Sequence, residues 1–240
     1  MRLLLHCISL YLFSLSSYGQ TVFGTGLMPA SAFTKWVAET PKAYEGVYHF
    51  GESEAESDFA LVVSDGIVAA QIRSGEWETK PERWSKVFQT LTNIRIVGNK
   101  FYSKETEGDF VTFISEGKKT YGLRVGKPWS SSVGKGQREV GARTGPLANY
   151  YYGDYPQASY KVLKPAALAG YTKEQLTLMR NEVFARYGHP FSKNNKLRRY
   201  FTKKEWYQVE KVSLDLALTP IEKKNLLTIQ AAEAQAALPK

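Results

Sequence analysis

Cysteine is almost absent from this chain of 240 residues, with Cys7 the only one. It lies inside an apolar N-terminal run that reads as an export signal, so the mature chain is expected to carry no thiol. Disulfides, cysteine metal centres and cysteine nucleophiles are thereby excluded. A cysteine-free exported chain fits a bacterial envelope. Histidine is nearly as scarce: beyond residue 19 only His49 and His189 remain, one in each expected domain. A metal site needs two or three ligands brought together, so no metal and no cofactor is expected. Nucleophile-elbow, zinc-protease, phosphate-loop and dinucleotide patterns are missing too. Gly134-Lys135-Gly136 is too short to cradle a phosphate. Long hydrophobic runs are limited to Leu3–Leu15, below the roughly 18 to 20 residues that span a bilayer.

That short run has the layout of a secretory signal. Arg2 supplies the positive start, and Ser17-Tyr18-Gly19 places small residues where a signal peptidase reads. Residues 1–19 are the expected signal peptide, with cleavage between Gly19 and Gln20 and a periplasmic or secreted destination. No transmembrane segment is expected in the mature chain.

Charge is one-sided. The formal net charge is +9. Residues 149–240 hold 15 basic and 8 acidic side chains, a balance of +7, whereas 20–148 hold 16 and 15, a balance of +1. Basicity therefore belongs to the C-terminal part and favours an anionic partner there. Nucleic acid is disfavoured by the export signal. Two acidic groupings have the spacing that paired acids need for glycan hydrolysis, Glu76 with Glu78, and the run Glu52, Glu54, Glu56 and Asp58. Strand neighbours of this kind more often serve as solvated edge charges, so no catalytic residue is assigned.

The expected architecture is α+β in two domains. Residues 20–43 read as a tether, with Phe33, Trp36 and Val37 spaced for one or two helical turns. From 44 to 126, β-rich runs alternate with Gly51, Ser64-Asp65-Gly66, Gly98-Asn99 and Glu116-Gly117, the pattern of an antiparallel meander closed into a barrel or stacked as a sandwich. Residues 127–153, rich in glycine, serine and charge, read as a linker, with Tyr150-Tyr151-Tyr152 packing on the domain that follows. Residues 154–236 are expected to be all-helical. Thr172 with Gln175, Thr202 with Glu205, and Thr219 with Glu222 have capping-box spacing, which predicts helices near 173–187, 195–201, 203–208 and 220–236.

The most informative stretch runs from Met179 to Tyr207. Leu176, Met179, Val183, Phe184 and Tyr187 recur at helical spacing and predict a core-facing stripe. Arg180, Glu182 and Arg186 lie off that stripe or on its edge, with Glu182 and Arg186 spaced as a helical ion pair. Gly188 stands where a left-handed residue closes a helix, and Pro190 prevents continuation. Tyr200, Phe201, Trp206 and Tyr207 are expected to fold back on the stripe. Some of Lys193, Lys196, Arg198, Arg199, Lys203 and Lys204 must then point outward. Asn225, one turn beyond Ile221, needs a partner if buried; the 180–188 segment is the candidate.

The run Arg180-Asn181-Glu182-Val183-Phe184-Ala185-Arg186-Tyr187-Gly188 resembles the YARHG domain, a small extracytoplasmic domain of bacterial proteins. The likeness extends over about residues 154–232, through Tyr155-Pro156-Gln157-Ala158-Ser159, the Tyr200-Phe201 and Trp206-Tyr207 pairs, and Ile221 to Asn225. Phe184 stands where the family has tyrosine and Tyr187 where it has histidine, both still aromatic. The resemblance implies a fold and a location rather than a reaction. The signature residues Arg180, Asn181, Glu182, Phe184, Ala185, Arg186, Tyr187, Gly188, Trp206, Tyr207 and Asn225 are expected to be structural. Lys196, Arg198, Arg199, Lys203 and Lys204 are the expected binding residues.

The expected role is non-catalytic binding within the cell envelope, with an anionic envelope glycan or envelope protein as partner. A ligand-binding β barrel with a helical accessory domain is the first rival, which a cavity of several hundred Å³ inside residues 44–125 would favour. An envelope hydrolase is the second, requiring two acids in one cleft or His49 beside a serine.

Overall fold

The computed structural model describes residues 20–80, 82–129 and 133–236. The expected signal peptide and its cleavage site at Gly19 lie outside the described residues. The strands are β1 (Thr21–Phe23), β2 (Gly26–Met28), β3 (Thr34–Lys35), β4 (Gly46–Phe50), β5 (Ser57–Ser64), β6 (Ile67–Thr79), β7 (Glu82–Thr90), β8 (Arg95–Val97), β9 (Lys100–Tyr102), β10 (Glu107–Ser115), β11 (Lys118–Val125) and β12 (Arg138–Gly145). All belong to one sheet, whose main path runs β7-β6-β5-β4-β12-β11-β10-β9-β8. Every neighbouring pair on that path is antiparallel. Two meanders, β4–β7 and β8–β12, are thus joined by the β12–β4 pair. The α+β expectation holds, with the large antiparallel sheet N-terminal and helices C-terminal.

The sheet is strongly rolled. Phe59 on β5 and Phe101 on β9 stand several strands apart on the path, yet their rings meet edge-on at 5.3 Å. Tyr44 stacks on Phe110 at 3.9 Å. Tyr48, Phe50, Leu61, Leu91 and Leu123 complete a dry interior. Each such side chain contributes about 1.5–3 kcal/mol on burial. The roll is filled by these side chains, so the accessory-barrel rival gains no support from it.

Two segments depart from the sequence expectation. Residues 20–43 form no α-helical turn at Phe33–Val37: β1 pairs with β12, β3 pairs with β10, and the Trp36 amide donates to the Phe110 carbonyl at 3.0 Å. The Tyr44 hydroxyl holds the same segment, accepting from the Ala38 amide. Residues 127–153, expected as a linker, contain β12, which lies mid-sheet between β11 and β4. One of its glycines is there for packing. A β-carbon on Gly141 would lie 2.3 Å from the Phe50 ring, so only glycine admits that ring to the core.

The helices are α1 (Leu147–Tyr150), α2 (Gln157–Tyr160), α3 (Pro165–Leu168), α4 (Lys173–Arg186), α5 (Asn195–Phe201), α6 (Leu214–Ala217) and α7 (Pro220–Gln235). Capping boxes at Thr172–Gln175 and Thr219–Glu222 start α4 and α7 as expected. The expected 203–208 helix does not form. The Thr202 hydroxyl donates back to the Arg198 carbonyl at 2.9 Å instead of capping forward, and residues 202–206 turn. Gly188 closes α4 with φ of 72°. The helices pack directly on the sheet: Val47, Ala60, Val62 and Ala69 on its outer face share a core with Leu147, Tyr150, Tyr151, Val162 and Ile221.

Candidate functional site

The apolar stripe of α4 is buried as expected at Leu176, Met179, Val183 and Tyr187, with Phe184 half-buried. Its polar flank is buried too, contrary to the expectation that Glu182 and Arg186 lie at the edge. Their relative exposures are 1% and 9%. The physical reason is the chain from Tyr152 to Ser159, which crosses that face of the helix. Glu182 accepts from the Asp154 and Tyr155 amides at 2.8 and 2.7 Å. Arg186 donates to Glu182 at 2.5 Å, to the Tyr152 carbonyl at 2.7 Å and to Ser159 Oγ at 2.8 Å. Arg180 grips Glu233 of α7 through two bonds, at 2.7 and 3.2 Å. Asn181 is buried and donates to the Thr177 carbonyl. Ala185 lies in the core with Phe191, Leu197 and Phe201.

Asn225 is fully buried, but its partners differ from those expected. It accepts from the Leu163 amide and donates to the Ala158 and Lys161 carbonyls, all at 2.7–2.8 Å. It therefore locks the 158–163 segment, not the 180–188 helix. The sequence places Asn225 correctly on the apolar side, but the α2–α3 connection that reaches it has no periodic signal.

The sheet and helices meet at Tyr187. Its hydroxyl donates to Glu222 at 2.7 Å and accepts from Gln71 of β6 at 3.0 Å, while its ring meets Phe88 of β7 edge-on at 4.8 Å. Burial pushes the Glu222 carboxyl above the usual range. The backbone at 208–210 runs beside β7: Arg83 bonds the Val209 carbonyl and Glu210, and the Lys86 amide donates to Glu210.

The expected basic surface forms in large part. Phe191 and Phe201 stack at 4.9 Å, and Tyr200, Trp206 and Tyr207 close around them. Lys196, Arg198, Arg199 and Lys203 project from this base into solvent, with no ion pair to any of them among the described residues. Lys204 differs. It pairs with Asp154 at 3.0 Å, beside the Tyr200 hydroxyl that also donates to Asp154. Its ammonium is therefore committed inside the domain, and the free face has four of the five expected cations.

Residues 151–234 match the family model of the YARHG domain. This part of the chain is a YARHG domain. The N-terminal part, including the rolled sheet, has no family match. No curated protein and no solved structure matches the chain. The match begins at Tyr151, within a tyrosine run that packs on α2 and the sheet. Tyr150 and Tyr151 are buried, and Tyr152 remains 40% exposed.

Glu76 and Glu78 both line one cleft of about 650 Å³, together with Glu210. Glu78 accepts from Ser85 and Arg83, with Lys211 at 3.2 Å, and these partners hold its carboxyl down near 2. Such a carboxylate stays ionised and has no proton to give as a general acid. His49 Nδ1 lies 2.9 Å from Asp58 while its Nε2 faces Glu56 at 3.9 Å. The neighbouring Ser57 hydroxyl accepts from the Trp129 indole and makes no bond to His49. Asp58 draws the His49 pKa above its ordinary 6.5. Among the described residues, no group of three or more histidine, cysteine or acidic side chains could hold a metal. No described helix is long and apolar enough to cross a membrane.

Proposed function

We propose that this is an exported, non-catalytic binding protein of the bacterial cell envelope, and that the basic aromatic face of its YARHG domain docks an anionic envelope glycan or envelope protein. The observation that carries the reading is the separation of roles around α5. The rings of Phe191, Phe201, Trp206 and Tyr207 turn inward, and Lys196, Arg198, Arg199 and Lys203 stand outside with no carboxylate partner among the described residues. Unpaired surface cations on a rigid base raise the local concentration of polyanions and speed their capture. Export rests on the N-terminal signal pattern, and the YARHG domain supports an extracytoplasmic location. The assay is cosedimentation of the mature protein with purified envelope fractions at low and at high salt. Binding that falls with salt is the expected result. Absence from every pellet at both salt concentrations refutes the proposal.

A further inference from the structure

A second concentration of positive charge lies where the sheet meets the YARHG domain, well inside the sequence expectation for neither. A cleft of about 170 Å³ opens beside β5, β6 and β7, lined among others by His49, Asp58, Arg73, Trp84, Lys86 and Tyr152. It continues inward to a pocket of about 20 Å³ that shares Arg73, Lys86 and Tyr152 and is bounded by Tyr150, Tyr151 and Arg186.

Two carboxylates, Glu56 and Asp58, also line the cleft, and both face His49, at 3.9 and 2.9 Å. Asp58 is already shared between His49 and Arg73, at 2.9 and 2.8 Å. Arg186 is saturated by Glu182, Tyr152 and Ser159. Lys86 is half-buried and forms no ion pair among the described residues. Its ammonium has one long bond, 3.5 Å to the Trp206 carbonyl, and lies 5.6 Å over the Tyr152 ring. An ammonium has three donors, and a cation taken from water without a counter-charge is costly. Desolvation, and then the nearby Arg73, lower the Lys86 pKa against an opposing pull from Glu210. Deeper in, Tyr150 and Tyr151 line the inner pocket, and their buried hydroxyls have no hydrogen-bond partner among the described residues.

The walls are aromatic. Trp84 lies directly on the backbone of Gly75, where an added β-carbon would come within 2.1 Å of the indole. Tyr152 stacks with Trp206 at 6.3 Å and 17° between planes. A flat apolar wall beside an unpaired cation suits a ligand with a carboxylate on a ring.

We propose that this cleft binds the carboxylate of an acidic sugar residue, with Lys86 and Arg73 receiving the carboxylate and Trp84 and Tyr152 flanking the pyranose. The site is separate from the α5 face, so its failure leaves the docking proposal standing. The probe is glucuronate, titrated into the full mature chain and followed by amide chemical shifts, with glucose and inorganic phosphate as comparison arms. Glucuronate is expected to saturate shifts at Ser74, Gly75 and Lys86, with both comparison arms about tenfold weaker or more. Lys86→Gln is expected to weaken glucuronate by about tenfold or more, the scale of losing one partly desolvated charge contact. Lys86→Arg should retain binding, and Gly75→Ala, which displaces the Trp84 indole, should reduce it without loss of the far-ultraviolet circular dichroism signal. Equal binding of glucose overturns the carboxylate assignment, and equal binding of phosphate overturns the sugar assignment. No saturable shift with glucuronate, or an unchanged affinity in Lys86→Gln, overturns the site.

Discussion

Replacing Arg186 with methionine tests the buried polar flank of α4 most sharply. Methionine keeps the length of the side chain and removes its charge and donors. The wild-type guanidinium satisfies Glu182, the Tyr152 carbonyl and Ser159 Oγ at once, in a site where both charged side chains are almost inaccessible. Removing it leaves a buried carboxylate held only by the Asp154 and Tyr155 amides. Breaking one side of a buried pair costs about 3–5 kcal/mol. At roughly 2–4 °C per kcal/mol for a chain of this size, the melting temperature should fall by about 6–20 °C. The double variant Glu182→Gln with Arg186→Met removes the stranded charge and should recover part, but not all, of that loss, because its amide oxygen accepts from only one of the two backbone donors. Urea unfolding of the wild type, both single variants and the double variant gives the coupling energy directly. A fall below about 1 kcal/mol for Arg186→Met would mean that the pair is solvated in solution, and the reasoning would be wrong.

Asn225→Ala leaves the Leu163 amide and two carbonyls without partners, and about 3 kcal/mol or more of stability should be lost in urea unfolding; a loss under 1 kcal/mol refutes the lock on 158–163. Glu222 has its carboxyl pKa raised by burial, so its stabilising contribution is complete below the unfolded value and is lost as pH rises through the folded one. Glu222→Gln should therefore flatten the fall in melting temperature with rising pH above the ordinary carboxyl range, and an unchanged slope contradicts the shift. His49 is raised by Asp58, so its contribution is present below 6.5 and fades as pH rises through the higher folded value. Its imidazole resonances should titrate above 6.5, and Asp58→Asn should bring the midpoint down; a midpoint at or below 6.5 in the wild type contradicts the contact.

The helical half was legible wherever a local rule acts alone. Capping boxes at Thr172 and Thr219, the 3.6-residue stripe of α4 and the glycine stop at 188 all need only neighbours in sequence, and all are present. Thr202 has the same spacing as the other caps, but its hydroxyl lies in range of the preceding helix's free carbonyls and bonds there. In the sheet, β4, β5, β9, β10 and β11 carry β-branched and aromatic runs that announce strands. β7 reads Glu-Arg-Trp-Ser-Lys-Val-Phe-Gln-Thr, and its charges hid it. Those charges make sense only once the 206–210 segment lies alongside, where the Val209 carbonyl and Glu210 receive Arg83 and the Trp206 carbonyl faces the Lys86 ammonium. β12 was hidden by its glycines, and Gly141 makes room for a distant ring, Phe50, which no local reading supplies. The basic face was legible because charge counting and ring packing agree there. The cleft at Lys86 was not, because Arg73, Lys86, Trp84 and Tyr152 come from three elements joined only by the tertiary fold.

The central claim is that the position of the α5 cations, and not the net charge of the chain, drives docking. The decisive measurement compares binding of two variants to the same envelope fraction at low salt. One is Lys196→Gln with Lys203→Gln on the α5 face. The other is Lys118→Gln with Lys119→Gln on the β11 strand, which removes the same charge elsewhere. The account predicts that the first variant loses most of its binding and the second retains it. Equal losses in both would contradict it.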